Sequence, residues 1–105
     1  MSELKPVYEV DAVKIWTVKT NPLGLVIAVT GKTGTPTWGG FELQPVVYVV
    51  YPEDGVHDVH WVGVPGGGPQ VISEAAFEST WVGFPEGQLK GVRVHSGTNS
   101  VVAML

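Results

Sequence analysis

The 105-residue sequence contains no cysteine, and this absence removes several classes of protein at once. Disulfide frameworks, zinc ribbons and cysteine nucleophiles all need thiol groups, so none of them is available to this chain. Long apolar runs are also missing, since none approaches the roughly 20 residues of a membrane-spanning helix. The first residues lack the apolar core of a signal peptide. We therefore expect a cytoplasmic protein with no membrane partner.

Positive charge is scarce: six lysines and arginines stand against ten acidic residues, which gives a net charge of -4. No lysine or arginine lies between Lys32 and Lys90, whereas seven carboxylates fall there: Glu42, Glu53, Asp54, Asp58, Glu74, Glu78 and Glu86. Such a surface repels nucleic acids and anionic membranes, because both need clustered cations. We expect no nucleic-acid partner. Neutral and cationic small molecules remain compatible with this charge pattern.

What the sequence does contain is a regular supply of strand-forming residues. Hydrophobic residues make up 44% and charged residues 15%, a composition typical of an ordered globular protein. β-Branched and aromatic residues occur in short runs that are separated by glycine, proline and asparagine, which indicates strands almost throughout. We predict one all-β domain over residues 1–105, an antiparallel β-barrel or closed sandwich of about eight to nine short strands arranged in hairpins.

Several local patterns refine this prediction. Residues 31–34 and 52–55 carry turn residues and predict hairpin loops, while the glycines at 39–40 predict a bulge in a strand. The run 46–51 is apolar on both faces, so we expect it to form the centre of the sheet with residues 56–64. An apolar face left over from this run predicts self-association into a dimer or larger oligomer. Residues 73–77 have one turn of helical character, too short for a stable helix.

Four tryptophans recur at intervals of 22, 23 and 20 residues: Trp16, Trp38, Trp61 and Trp81. Bulky rings at this spacing are typical of the core of a small β domain. The alternative is a binding face, in which rings stack on a sugar or hold a cation while nearby carboxylates fix polar groups. For that face we predict the ligand-binding residues Trp61, Trp81, Trp38, Asp58 and Glu78.

The side-chain alternation of a strand limits how these groups meet. Asp58 lies three residues before Trp61, and Glu78 three before Trp81, so acid and ring project from opposite faces within each strand. They can meet only across strands or around the Pro-Gly loops. We therefore predict the mouth of the site at the end of the domain that carries residues 65–69 and 85–87.

A second cluster, His57-Asp58-Val59-His60, suggests different chemistry. In a strand Asp58 and His60 share one face and His57 points to the other. Together with His95 from a later strand, Asp58 and His60 could supply two imidazoles and one carboxylate, a set that holds iron or catalytic zinc. The order of these residues matches neither the His-x-Asp of the facial triad nor a His-x-His pattern.

These observations lead to a primary interpretation and two alternatives. The primary interpretation is a self-associating, non-catalytic binding module for a small neutral or cationic ligand, with carbohydrates as one candidate class and no cofactor. The first alternative is a small metal-assisted enzyme that uses Asp58, His60 and His95. The second is a structural subunit of a larger assembly, in which the apolar strand faces make protein contacts.

Overall fold

The computed structural model describes residues 3–105, and within them it contains β-strands and no helix, so the all-β prediction is confirmed. Eight strands follow one another in this described range: β1 (Lys5–Pro6), β2 (Glu9–Val18), β3 (Gly24–Thr33), β4 (Gly39–Pro45), β5 (Val56–Val64), β6 (Ser73–Val82), β7 (Gly91–His95) and β8 (Ser100–Met104).

The strands form two sheets. The smaller sheet has the order β2-β3-β6, with antiparallel pairing on both sides of β3. The larger sheet is built around β5, which pairs with β4 along one edge and with β1 and β7 along the other, and β8 follows β7. The glycine bulge predicted in β4 is confirmed, because the register with β5 shifts between Gly39 and Glu42 and Gly40 has a positive φ of 57°.

One strand pair departs from the predicted antiparallel arrangement. β5 and β7 run parallel, with Asp58 opposite Arg93 and His60 opposite His95. The physical reason is the path of the chain, which crosses to the smaller sheet as β6 before it returns as β7. A parallel pair requires such a crossover, whereas a hairpin always gives an antiparallel pair.

The core lies between the two sheets. β3 contributes Leu25, Ile27 and Val29, and the larger sheet contributes among others Val59, Trp61, Val92 and Val94, all of them buried. Burying such side chains away from water is the main force that holds two sheets together.

The hairpin predicted at residues 31–34 is wrong, because β3 continues through Gly31 to Thr33. Gly31 is required there by close packing. A Cβ atom at this position would lie 2.0 Å from the carbonyl oxygen of Glu9 and 2.8 Å from the ring of Trp61. The glycine therefore allows a neighbouring strand and the largest core ring to approach the backbone, and it marks no turn.

The central strand predicted at residues 46–51 is also wrong. β4 ends at Pro45, and beyond it the Val46 N–H still pairs with β5, donating to the Asp58 carbonyl at 2.9 Å. Val47 and Val50 are 95% and 81% exposed. A run that is apolar on both faces needs a covering layer on each side, and residues 3–105 supply none over Val47 and Val50. The turn at residues 52–55 does form, with Gly55 at a φ of 73°.

The short helical turn considered for residues 73–77 does not form, since β6 pairs with β3 along its whole length. Ala75, Phe77 and Trp81 face the core, while Glu74 and Glu78 face outward. The regular alternation of β6 is that of a strand with one covered face.

Candidate functional site

A pocket of about 460 Å³ opens at the end of the molecule where β5 begins and β6 ends. Its walls come from the segment that follows β4, from the start of β5, and from the end of β6 with the turn after it. The lining residues are Pro45, Val46, Val47, Tyr48, Tyr51, His57, Trp81, Gly83 and Pro85. The volume lies within the range of small-molecule sites, and the walls are mainly apolar and aromatic, as such sites usually are.

His57 is the buried polar group of this pocket. It projects from the core-facing side of β5 and is only 1% exposed, and its Nε2 is buried without a hydrogen-bond partner among residues 3–105. Burial lowers the pKa of His57, an effect that the charges of Asp58 and Asp54 oppose. The imidazole is therefore neutral at pH 7 and carries one donor and one acceptor nitrogen.

Three aromatic rings surround this imidazole. The centroid of the Tyr48 ring lies 5.3 Å from that of His57 in an edge-on arrangement, and the Tyr51 ring lies 5.4 Å away. Trp81, from the neighbouring sheet, lies 6.3 Å away, also edge-on. These contacts fix the plane of the imidazole, so its unpartnered nitrogen is held in one orientation.

Tyr48 connects the pocket with a polar cluster on the opposite face of β5. Its hydroxyl donates to Oδ2 of Asp58 at 2.6 Å and accepts the backbone N–H of Asp58 at 2.8 Å. The second bond replaces the strand partner that β5 loses where β4 ends. Burial raises the pKa of Tyr48, and the hydrogen bond to the Asp58 carboxylate raises it further.

Asp58 is the centre of the polar cluster. Its Oδ1 accepts from Nε2 of His95 at 2.7 Å and from Nη1 of Arg93 at 3.2 Å. Partial burial raises the pKa of Asp58, but the hydrogen bonds from His95, Tyr48 and Arg93 outweigh that effect and lower the pKa to about 2. The carboxylate is ionised and satisfied at neutral pH.

The structure thus places Asp58, His60 and His95 on one face, as the metal-enzyme alternative requires, but in a different arrangement. His60 stacks on His95 with ring centroids 5.2 Å apart, and Nε2 of His95 is occupied by Asp58. A ring nitrogen that donates to a carboxylate has no lone pair free for a metal. In the part of the chain that the structure describes, no group of three His, Cys, Asp or Glu side chains has a metal-binding arrangement.

The predicted ligand-binding residues are dispersed. Trp81 lines the pocket, whereas Trp61 is fully buried in the core and Trp38 packs half-buried against that core. Asp58 lies behind the pocket on the other face of β5, bonded to Tyr48. Glu78 is exposed on the outer face of β6, turned away from Trp81.

The predicted mouth is wrong, because its two loops lie at opposite ends of β3. Thr35 and Thr37, which follow β3, donate to the carbonyls of Gly66 and Gly67. Gly83, by contrast, donates its N–H to the carbonyl of Leu23, just before β3 begins. The pocket uses only the second of these ends.

Sequence reasoning did not identify Tyr48, Tyr51 and His57 as pocket residues. The strand period did place His57 on the face opposite Asp58, but the two tyrosines belong to the run that was interpreted as a central strand. Valines and tyrosines that stand between two prolines, Pro45 and Pro52, could equally have indicated an edge segment, because proline is excluded from strand centres.

No protein-family model matches this chain, and no curated protein or solved structure is significantly similar to it. Residues 3–105 contain no helix long and apolar enough to cross a membrane. The functional argument therefore depends on the geometry of the pocket.

Proposed function

We propose that this protein is a non-catalytic binding module that holds a small molecule in the pocket around His57. The observation that carries the proposal is the open cavity of about 460 Å³, whose lining is mainly apolar and aromatic and includes Tyr48, Tyr51 and Trp81. Concave sites of this size and composition are the usual binding places for small molecules. A ligand that covers these side chains removes apolar surface from water, which stabilises the complex.

A fragment screen that includes sugars and amines tests this function. Binding should shift the NMR signals of the Trp81 indole and the His57 imidazole and raise the melting temperature. Trp81→Ala should weaken every hit, whereas Trp16→Ala serves as the matched control, since Trp16 is 41% exposed on β2 and does not line the pocket. The proposal fails if no compound perturbs the pocket, or if the hits bind equally well to the Trp81→Ala variant.

We also propose that the chain self-associates through the segment 46–51. Val47, Val49 and Val50 are almost fully exposed, and Tyr51 next to them is 47% exposed. Contiguous exposed apolar side chains mark interaction surfaces. A second copy of the chain can cover the segment with the same residues, as a two-fold interface requires.

Light scattering at tens of micromolar tests this assembly. Wild-type protein should give at least twice the 11.2 kDa of the single chain, and the double variant Val47→Asn, Val50→Asn should give the mass of one chain. Val102→Asn is the matched control, because Val102 is exposed on β8 outside the segment. A monomeric wild type contradicts the proposal.

For the architecture we propose a sandwich of two sheets that is closed along one side. The side chain of Asn99, just before β8, bonds both backbone groups of Val10 in β2 and so bridges the two sheets along that side. Along the other side, between β4 and β6, a gap of about 180 Å³ remains. The bridged side supports a sandwich that is closed on one edge.

A further inference from the structure

We infer that two copies of this chain associate by pairing their β6 strands antiparallel across a two-fold axis. The small sheets of the two copies, each with the order β2-β3-β6, then merge into one continuous sheet. The pairing rests on the proposed self-association and identifies the strand through which it occurs. It follows from the free edge of β6, from the protected edges of other strands, and from the apolar side chains at both ends of β6.

One edge of β6 has no strand paired with it. β6 pairs with β3 alone among the described strands, in a register that is unbroken along its whole length. In an antiparallel pair, alternate residues direct their N–H and C=O groups toward the partner strand. Gly83, one position beyond the pair of Val82 with Gly24, donates its N–H to Leu23, so the odd-numbered residues of β6 bond to β3. The even-numbered residues direct both groups to the free edge.

Two other edge strands carry features that prevent pairing. β2, at the opposite edge of the same sheet, has a register shift after Val10 and is bonded there by Asn99. β4 contains the bulge at Gly40 and ends at Pro45. Bulges, prolines and covering segments are the usual protection of a strand edge. β6 has neither a proline nor a bulge over its ten residues, so a further strand can pair with it.

The side chains at the two ends of β6 fit an antiparallel pair. Ile72, just before the strand, and Val82, at its last position, are both more than half exposed. In an antiparallel pair the start of one strand meets the end of the other, so Ile72 of one copy covers Val82 of the second. Val71 and the exposed segment 46–51, which borders Trp81 at the pocket, enlarge this apolar surface. Each copy contributes the same set of residues, as two-fold symmetry requires.

The two carboxylates on the outer face of β6, those of Glu74 and Glu78, determine the register of the pair. Like charges directly opposite each other destabilise a strand pair. The register that joins the two apolar ends places Glu74 opposite Thr80. It places Glu78 opposite Ala76, so no carboxylate faces another. A shift by two residues brings Glu78 opposite Glu78 in one direction and Glu74 opposite Glu78 in the other.

Amide hydrogen exchange of the wild type, followed by NMR, tests the pairing. The amides of Ala76, Glu78 and Thr80 should be protected like those of Phe77 and Ser79, which bond to β3. On an unpaired edge the three even-numbered amides would exchange about a hundredfold or more faster, because protection requires an ordered hydrogen bond. Such fast exchange in a protein that light scattering shows to be dimeric overturns the pairing.

The variant Thr80→Pro tests the same edge through one hydrogen-bond donor. It removes an N–H that points away from β3, so the bonds to β3 remain, and it should reduce the mass from two chains to one. Thr80→Val is the matched control, because it alters the same exposed side chain but keeps the N–H, and it should keep the wild-type mass. A folded Thr80→Pro variant that stays dimeric overturns the pairing.

A single introduced thiol gives a measurement that does not depend on proline. The chain has no cysteine, and Ala76 on β6 and Ala12 on β2 lie in one row across the smaller sheet, at its two edges. With a short bifunctional thiol reagent, Ala76→Cys should crosslink into dimers, whereas Ala12→Cys should not. Equal crosslinking of the two variants, or a dimeric Ala76→Cys variant that does not crosslink, overturns the pairing.

The assembly and the strand pairing fail in different ways. If the wild type is monomeric in light scattering, the proposed self-association and the pairing are both wrong. If the wild type is dimeric but the Ala76 amide exchanges rapidly and Ala76→Cys does not crosslink, the self-association stands and the pairing through β6 is wrong.

Discussion

The hydroxyl of Tyr48 makes two hydrogen bonds with one residue, Asp58: it donates to the carboxylate and accepts the backbone N–H. The ring of the same tyrosine forms part of the pocket wall and contacts His57. One side chain therefore closes an unpaired stretch of the β5 edge and shapes the candidate site. This relationship links the stability of the sheet edge to the geometry of the pocket.

Tyr48→Phe should destabilise the protein by about 1–3 kcal/mol. The change keeps the ring but leaves the half-buried N–H of Asp58 without its acceptor and removes one donor to the carboxylate. Chemical denaturation measures the effect. Tyr51→Phe is the matched control, since Tyr51 lines the same pocket and no side-chain hydrogen bond is seen for it in residues 3–105. Equal stability of the two variants would show that the Tyr48 hydroxyl is not bonded to Asp58.

Asp58 should make stability depend on pH in the acid range. Its pKa is about 2 in the folded protein against an ordinary 3.8, so the folded state favours the ionised form. The stabilisation is complete above about pH 4 and is lost as pH falls from there towards 2, because the unfolded chain takes up the proton first. Since the side chain is 30% exposed, solvent screening reduces the effect to about 1–2 kcal/mol.

Urea denaturation of the wild type and of Asp58→Asn at several pH values between 2 and 6 measures this contribution. The wild type should lose its advantage over the variant as pH falls, whereas Glu53→Gln, an exposed control, should follow the wild type. Parallel pH curves for wild type and Asp58→Asn would contradict the assignment.

Asn99→Ala should cost about 1–2 kcal/mol. The Asn99 amide accepts from the N–H of Val10 at 2.9 Å and donates to its carbonyl at 2.7 Å, at the point where β2 changes register against β3. Val10 is only 1% exposed and is covered by the exposed Asn99, so the variant leaves both backbone groups without a protein partner and only partly open to water. Thermal denaturation of Asn99→Ala against the exposed control Gln88→Ala tests this. A difference below a few tenths of a kcal/mol would mean that Asn99 does not bridge the sheets.

The sequence predicted those features that depend on local alternation. The period of β5 placed His57 and Asp58 on opposite faces, and the bulge at the two glycines of β4 followed from their conformational freedom. Pairing between distant segments was not predictable in this way. The parallel register that brings Arg93 beside Asp58 depends on the crossover through β6.

The segment 46–51 shows why the pocket itself was missed. Its valines and tyrosines have high strand propensity, but propensity in a sheet reflects packing against neighbours, and within the described part of the chain Val47, Val49 and Val50 remain almost uncovered. Only the tertiary structure reveals that Tyr48 bonds to Asp58 and that Tyr51 packs on His57. Both contacts join side chains on opposite sides of the turn at residues 52–55. The spacing of residues in the sequence does not predict such contacts.

Two tryptophans with nearly identical sequence surroundings should behave oppositely on substitution. Trp61 has no exposed surface and contacts Phe41 at a ring-centroid distance of 5.9 Å, whereas Trp81 is half-buried at the pocket. Trp61→Ala should therefore cost about 3–5 kcal/mol through the cavity it leaves. Trp81→Ala should cost less and remove ligand binding. Trp61→Phe should be tolerated better than Trp61→Ala, because it keeps a ring and also removes the Trp61 Nε1, which is buried without a partner in residues 3–105.

Urea denaturation of the three variants, with Trp16→Ala as the exposed control, gives the order of stability. We expect Trp16→Ala to be the most stable of the alanine variants, followed by Trp81→Ala and then Trp61→Ala. Binding of fragments to each folded variant is measured in parallel. If Trp61→Ala is as stable as Trp16→Ala, the ring of Trp61 does not fill the core, and the division of the tryptophans between core and pocket is wrong.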